Sequence, residues 1–325
     1  MTTKHLPNLP DYTLQRTLGR GNSAWVYLAL NSQGQRVALK VPFQETLENP
    51  ERAERFANEV RLSLQLKHEN LVIGYAGVPF GTNSFLAMRY FPESTLARWL
   101  ELGRVPENEA LVIISDVARA LTFLHAQGVV HQDVKSQNVY LDAGRAALGD
   151  FGAAYFIAQG GRGAGSPFYM APEIYRGELG TPASDVYSLC VLAYELLTGE
   201  RPFVSDTYEG LMVAHLSSYP KSLVHTVSKV PKSVTALVER GLAKTAQDRP
   251  VARDFVMAIE EVQGVRSGLK LDEVAASNDL KPPTTFGRAG AAKPTMAASA
   301  ERSANSGQSG QPERRAWWKP FKKRS

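Results

Sequence analysis

A single cysteine, Cys190, in 325 residues excludes a disulfide scaffold and a cysteine-rich zinc module, and it fits a reducing compartment. No uninterrupted apolar run reaches the roughly 18 residues of a membrane-spanning helix. The opening MTTKHLPNLPD also lacks the basic-then-apolar pattern of a secretion signal. Secreted and integral-membrane classes are therefore disfavoured, and the cytoplasm is the expected compartment. Metal-ligand spacing is missing too: His5, His68, His125, His215 and His225 form no such pattern with Cys190, which leaves them structural or surface roles. What is present is a composition of 43% hydrophobic and 21% charged residues, enough to bury the core of one large or two ordinary domains.

The formal charge of +5 is unevenly placed. Residues 1–264 carry 25 Lys and Arg against 27 Asp and Glu, whereas residues 265–325 carry 12 against 5. A near-neutral body with a basic arm is expected, and bulk charge gives the body no reason to bind nucleic acid.

Along the chain, residues 12 to about 47 read as extended, with YTLQRTLGRG, AWVYLAL and RVALKVPF broken by Gly19, Gly21 and NSQGQ. Three antiparallel strands are expected there. Asn49, Pro50 and Glu51 then form a helix start, followed by Phe56, Val60 and Leu64 at four-residue spacing. LVIGYAGV and SFLAMRYF complete a small sheet beside that helix. Beyond it the texture becomes helical: Leu111, Ile114, Ala118 and Leu121 share one face of the run 107–127, and Asp185 to Leu197 is largely apolar. ARDFVMAIEEVQG ends on Gly264, a normal helix stop, and sets the expected domain boundary. From Lys281 to Pro312, 22 of 32 residues are Ala, Gly, Ser, Thr or Pro, so a flexible linker is expected.

Three constellations carry chemistry. Gly19, Arg20 and Gly21 followed by Asn22, Ser23, Ala24, Trp25 and Val26 make a glycine loop between two strands, where backbone N–H groups could approach phosphate. Taken alone, a glycine pair in a hairpin is more often just a turn, and Ala24 stands where a third glycine would be. Lys40, in Val37-Ala38-Leu39-Lys40, lies on a strand, and Glu59 lies on the following helix, an arrangement that can form an ion pair aimed at phosphates. The third constellation is the ordered set His131-Gln132-Asp133-Val134-Lys135-Ser136-Gln137-Asn138, Gly149-Asp150-Phe151-Gly152 and Ala171-Pro172-Glu173.

On these motifs the chain resembles the eukaryotic-like (Hanks-type) serine/threonine protein kinase family over residues 12–264, with a short activation loop similar to bacterial members. The resemblance implies an α+β, bilobal fold, with a β-rich N-lobe over about 12–90 and a mostly helical C-lobe over about 91–264, after an N-terminal extension at 1–11. It implies ATP and Mg²⁺ as cofactors, with Mn²⁺ as the alternative ion, and protein Ser/Thr hydroxyls as acceptors. Asp133 would accept the substrate hydroxyl's proton, Lys135 would neutralise charge on the γ-phosphoryl group, and Lys40 with Glu59 would hold ATP phosphates. Asn138 and Asp150 would bind the metal through oxygen. Leu18, Gly19, Gly21, Val26, Ala38, Lys40 and Met88 would surround the nucleotide. Glu173 would pair with Arg249, and Asp185 would tie the catalytic loop to a buried helix. A noncatalytic ATP-binding scaffold is the alternative, weakened because Lys40, Glu59, Asp133, Asn138 and Asp150 are all retained.

Two departures stand out. Gln132 replaces the arginine that the family uses to hold a phosphorylated activation loop, and AAYFIAQGGRGAG, at 153–165, contains no Ser or Thr. Activity without activation-loop phosphorylation is expected, with Ser166 contacting the catalytic loop instead. Ser63 replaces an apolar residue expected to stack toward Phe151, which suggests a loosely held helix that Ser63→Leu would secure.

The end of the chain, residues 314–325, places Trp317, Trp318 and Phe321 among six cations. An anionic membrane surface or an acidic protein is the expected partner, with peripheral attachment at the inner membrane face; a merely solubilising tail is the alternative, and nucleic acid ranks below both. Thr284, Thr285, Thr295, Ser299, Ser303, Ser306 and Ser309 are candidate autophosphorylation sites.

Overall fold

The structure, a computed structural model, describes residues 9–159, 165–227 and 229–264. The chain divides into two units, Met1–Ala276 and Ser277–Ser325, and all described residues fall in the first. The expected basic tail, linker hydroxyls, His5, most of the N-terminal extension and the centre of the short loop at 160–164 lie outside them.

The first strands are β1 (Tyr12–Arg20), β2 (Ala24–Asn31) and β3 (Arg36–Pro42), antiparallel as their alternation requires. After α1 (Gln44–Glu48) and α2 (Pro50–Gln65) come β4 (Gly74–Val78) and β5 (Phe85–Arg89), giving a five-stranded sheet of order β1-β2-β3-β5-β4. Alternation along β3 sorts its side chains. Val37, Leu39 and Val41 pack with Tyr27, Ala29 and Ala87 on one face, while Ala38 faces Val60, Leu86 and Met88 on the other. Lys40 shares the face of Ala38 and is in register with Val26 on one side and Leu86 on the other. An N-lobe with one principal helix is the expected arrangement.

Two local expectations are corrected. The extended reading to Leu47 fails at α1, whose single turn is too short to show helical periodicity. The strand expected from Leu71 begins only at Gly74, because Leu71 and Val72 pair instead with Leu148 of the other lobe. The α2 start is as expected: the Asn49 side chain accepts from the Arg52 N–H at 3.0 Å, and Pro50 opens the helix.

The C-lobe is helical around a buried pair. In order come α3 (Leu96–Leu102), α4 (Glu107–Ala126), β6 (Val129–Val130), β7 (Val139–Asp142), β8 (Arg145–Leu148), β9 (Tyr155–Phe156), α5 (Pro172–Tyr175), α6 (Pro182–Thr198), α7 (Tyr208–Ser217), α8 (Leu223–Thr226), α9 (Lys232–Gly241) and α10 (Ala252–Gln263). Leu111, Ile114, Ala118 and Leu121 of α4 are all buried. On α6 every residue from Ser184 to Leu197 is buried, which is why that stretch shows no polar stripe. Two short ribbons, β6-β9 and β7-β8, frame the motif residues, with Asn138 directly before β7 and Gly149 directly after β8.

No helix of the described residues is long and apolar enough to cross a membrane.

Candidate active site

Strand β3 and helix α2 bring Lys40 and Glu59 together, with the ammonium 2.6 and 2.7 Å from the two carboxylate oxygens. Burial opposes charge on both. Glu59 is pushed up to about 7 by desolvation, against the pull of Lys40. Burial also works against the Lys40 ammonium, but the Asp150 and Glu59 carboxylates outweigh it and hold its pKa above the usual lysine range. Asp150 lies 3.9 Å from Lys40, and the ammonium keeps its carboxyl below the ordinary range. The Asp150 backbone is left-handed (φ 66°), turning its side chain toward the sheet, while Phe151 behind it is buried against His131.

The loop after β6 supplies Asp133, Lys135 and Asn138. Asp185 of α6, fully buried, accepts from the backbone N–H groups of His131 and Gln132 at 2.8 Å each, and from the His125 ring at 2.9 Å. This anchorage stiffens the loop from beneath. On its outer side Lys135 donates to Asp133 at 2.5 Å and to the Ser166 hydroxyl at 2.8 Å, and that hydroxyl donates to the other Asp133 oxygen at 2.9 Å. Asn138 donates its amide hydrogens to the backbone and side-chain oxygens of Asp133, which leaves its own carbonyl oxygen free of them. That oxygen and the Asp150 carboxylate are hard donors, and together they fit a divalent cation shared with phosphate and water.

Glu173 at the start of α5 receives a bidentate pair from Arg249 at 2.7 and 2.8 Å, and the Ser184 hydroxyl at 2.6 Å. The pairing fixes the segment after Ser166 to α6. A second polar tie runs from Tyr169, whose hydroxyl donates to Glu195, itself paired with Arg201 at 3.0 Å.

Four of the residues expected around a nucleotide also converge. Leu18, Val26, Ala38 and Met88 belong to one apolar cluster, and that cluster includes Tyr140, which sequence reading missed. Tyr140 stands two residues after Asn138 on β7, so the two-residue strand period was the available signal. Its phenol, raised to about 12 by burial, remains neutral close to Lys40 and Asp150. A Cβ at Gly19 would meet nothing within 4 Å, and one at Gly21 would meet only an Ala24 carbonyl oxygen at 3.6 Å. Neither glycine has the positive φ that would demand it.

The two departures acquire physical form. Gln132 adopts φ 66°, and its buried amide has no hydrogen-bond partner; it turns between Met170, Ala171, Ser184 and Ser188. Its side chain thus lies among C-lobe residues, with Gly180 also beside it. Ser63 is buried and abuts Gly74, where an added Cβ would lie 2.9 Å from the Ser63 carbonyl oxygen. At this point helix α2 and strand β4 touch, with Ser63 Cβ 3.0 Å from where a Gly74 Cβ would lie.

Comparison with known proteins follows the same outline. The model of the protein kinase domain family matches residues 12–258. Serine/threonine-protein kinases drp72 of Corynebacterium efficiens is 36% identical over 244 residues, 71% of this chain and 47% of that protein. Serine/threonine-protein kinase PknA of Mycobacterium tuberculosis is 34% identical over 246 residues, 72% of this chain and 56% of that protein. Serine/threonine-protein kinase PknB of Mycobacterium leprae is 33% identical over 263 residues, 77% of this chain and 42% of that protein. The chain thus spans about half the length of the curated relatives it matches.

Proposed function

Since this chain belongs to the protein kinase domain family, we propose that it transfers the γ-phosphoryl group of ATP to serine and threonine hydroxyls of proteins. The family uses ATP and a divalent metal; Mg²⁺ is the ion proposed here, with Asn138 and Asp150 as its protein ligands. The observation that carries the reading is the meeting of Lys40, Glu59 and Asp150 on one side of the cleft with Asp133, Lys135 and Asn138 on the other.

In this reading each residue has one task. The Lys40 ammonium, aimed by Glu59, binds phosphate oxygens, and Gly19 and Gly21 leave the roof of the cleft open to their approach. Leu18, Val26, Ala38, Met88 and Tyr140 receive the base. The metal supplies charge neutralisation at the phosphates. Asp133 orients the acceptor hydroxyl and takes its proton, while Lys135 offsets charge on the transferred group. Ser166 holds both catalytic-loop side chains, so the acceptor platform and the base are positioned together.

The test is incubation with labelled ATP and Mg²⁺, followed by phosphoamino-acid analysis. Phosphoserine or phosphothreonine is expected from the native chain and none from Lys40→Met. Label confined to phosphotyrosine, or no transfer by folded protein that binds ATP, contradicts the proposal.

The aromatic-basic end, residues 314–325, is proposed to hold the protein at an anionic lipid surface, at roughly 1 kcal/mol per cation near the headgroups. Cosedimentation with phosphatidylserine vesicles is expected for the full chain and lost on deleting 314–325; equal binding by both rules this out.

A further inference from the structure

Glu59 reaches Lys40 only if α2 sits at the right height and rotation, so something must hold that helix against the segment carrying Asp150. The apolar stack that Ser63 and Gly74 fail to supply is replaced by close backbone approach at one point, as the space around Gly74 requires. Beside that contact, Lys67 donates to the Ser63 carbonyl at 3.2 Å and to the Gly74 carbonyl at 2.5 Å, closing the end of α2 onto β4. Neither contact reaches the Asp150 segment.

Asn58 does. Its side-chain nitrogen donates to the backbone carbonyl of Ala154 at 2.6 Å and to that of Phe151 at 3.2 Å. These carbonyls bracket the single 3₁₀ turn of residues 151–153, whose preceding residue is the left-handed Asp150. One amide with two hydrogens thus clasps both ends of the turn. Asn58 is adjacent to Glu59 on α2, so the helix grips the turn through one side chain and Lys40 through the next.

We propose that Asn58 is a positioning residue for phosphoryl transfer, its amide coupling the seat of α2 to the Phe151–Ala154 turn so that Glu59–Lys40 and Asp150 are set as one unit. This inference rests on the phosphotransfer reading for its kinetic consequence, but its structural core is independent of it. An isosteric carboxylate separates positioning from mere packing: Asn58→Asp keeps the volume while facing both carbonyls with an acceptor, whereas Asn58→Ala simply removes the donors.

The experiment compares Asn58→Asp and Asn58→Ala with the native full chain. Asn58→Ala is expected to lower kcat roughly 10-fold, and Asn58→Asp roughly 100-fold, with KM for the acceptor peptide little changed in both. Amide hydrogen exchange over residues 150–159 should quicken in both variants, and more in the aspartate form. An aspartate variant as active as or more active than the alanine one overturns the inference, as does unchanged exchange. If the native chain transfers no phosphate, the phosphotransfer reading fails, while the exchange comparison still decides whether Asn58 holds the turn.

Discussion

Asp133→Asn is expected to lower kcat by roughly 10²–10⁴-fold, the range spanned by removal of a positioned acid or base. The native carboxylate accepts from Lys135, Ser166 and Asn138, and its place among those donors is what leaves it oriented toward an incoming hydroxyl. Asparagine keeps the shape but turns one acceptor into a donor, directed at either the Lys135 ammonium or the Ser166 hydroxyl. It also removes the group proposed to take the proton. In the proposed function ATP is held by Lys40 and the apolar cluster instead, so its dissociation constant is expected not to move. Parallel calorimetry and steady-state kinetics separate the two: a kcat within a factor of about ten of native would assign the base to another group.

The second large effect concerns stability. Arg249→Met is expected to cost about 3–5 kcal/mol, since it leaves a buried carboxylate without its partner. Arg249 donates to both Glu173 oxygens and to the carbonyls of Ala183 and Ala243, so it joins α5, α6 and the approach to α10. Burial raises the Glu173 pKa, and Arg249 with Ser184 overcomes that to bring it below the ordinary carboxylate value. A depressed folded pKa contributes stability that is present above the unfolded value and is lost as pH falls through the folded one. Without Arg249 the Ser184 hydroxyl still donates, but desolvation, the largest contribution, faces less opposition, so the carboxyl favours its proton more and the damage should shrink in acid. Urea unfolding at pH 8 and pH 5 is therefore expected to show the larger loss at pH 8, and Glu173→Gln added to Arg249→Met should recover part of it. Equal losses at both pH values would mean that the pair acts through packing rather than charge.

The sequence made the chemical residues legible because their spacing is short and fixed. Asp133, Lys135 and Asn138 lie within one loop, and Lys40 belongs to a strand whose alternation is plain. Their supports were harder to see. Asn58 meets Phe151 across 93 residues, and nothing in a helical repeat distinguishes an outward amide from one that clasps a distant turn. The close approach of Gly74 to Ser63 is visible only when helix and strand are docked. The direction of Gln132 depends on a left-handed backbone that its residue type does not announce. α1 escaped notice because one turn carries no periodicity.

Gln132 and the loop lacking serine and threonine carry one further expectation, a site that assembles without phosphate. Asp185 holds the catalytic loop from within, and Ser166 closes it from without. Nothing in these contacts waits for a modification.

The most direct measurement is a single-turnover assay on full-length protein freed of all phosphate by phosphatase, with intact mass verified before ATP and Mg²⁺ are added. Transfer to a serine- and threonine-containing peptide pool without a lag is the expected result. A lag that disappears after preincubation with ATP, or no transfer until the protein itself is phosphorylated, would contradict a site that is assembled by its own fold.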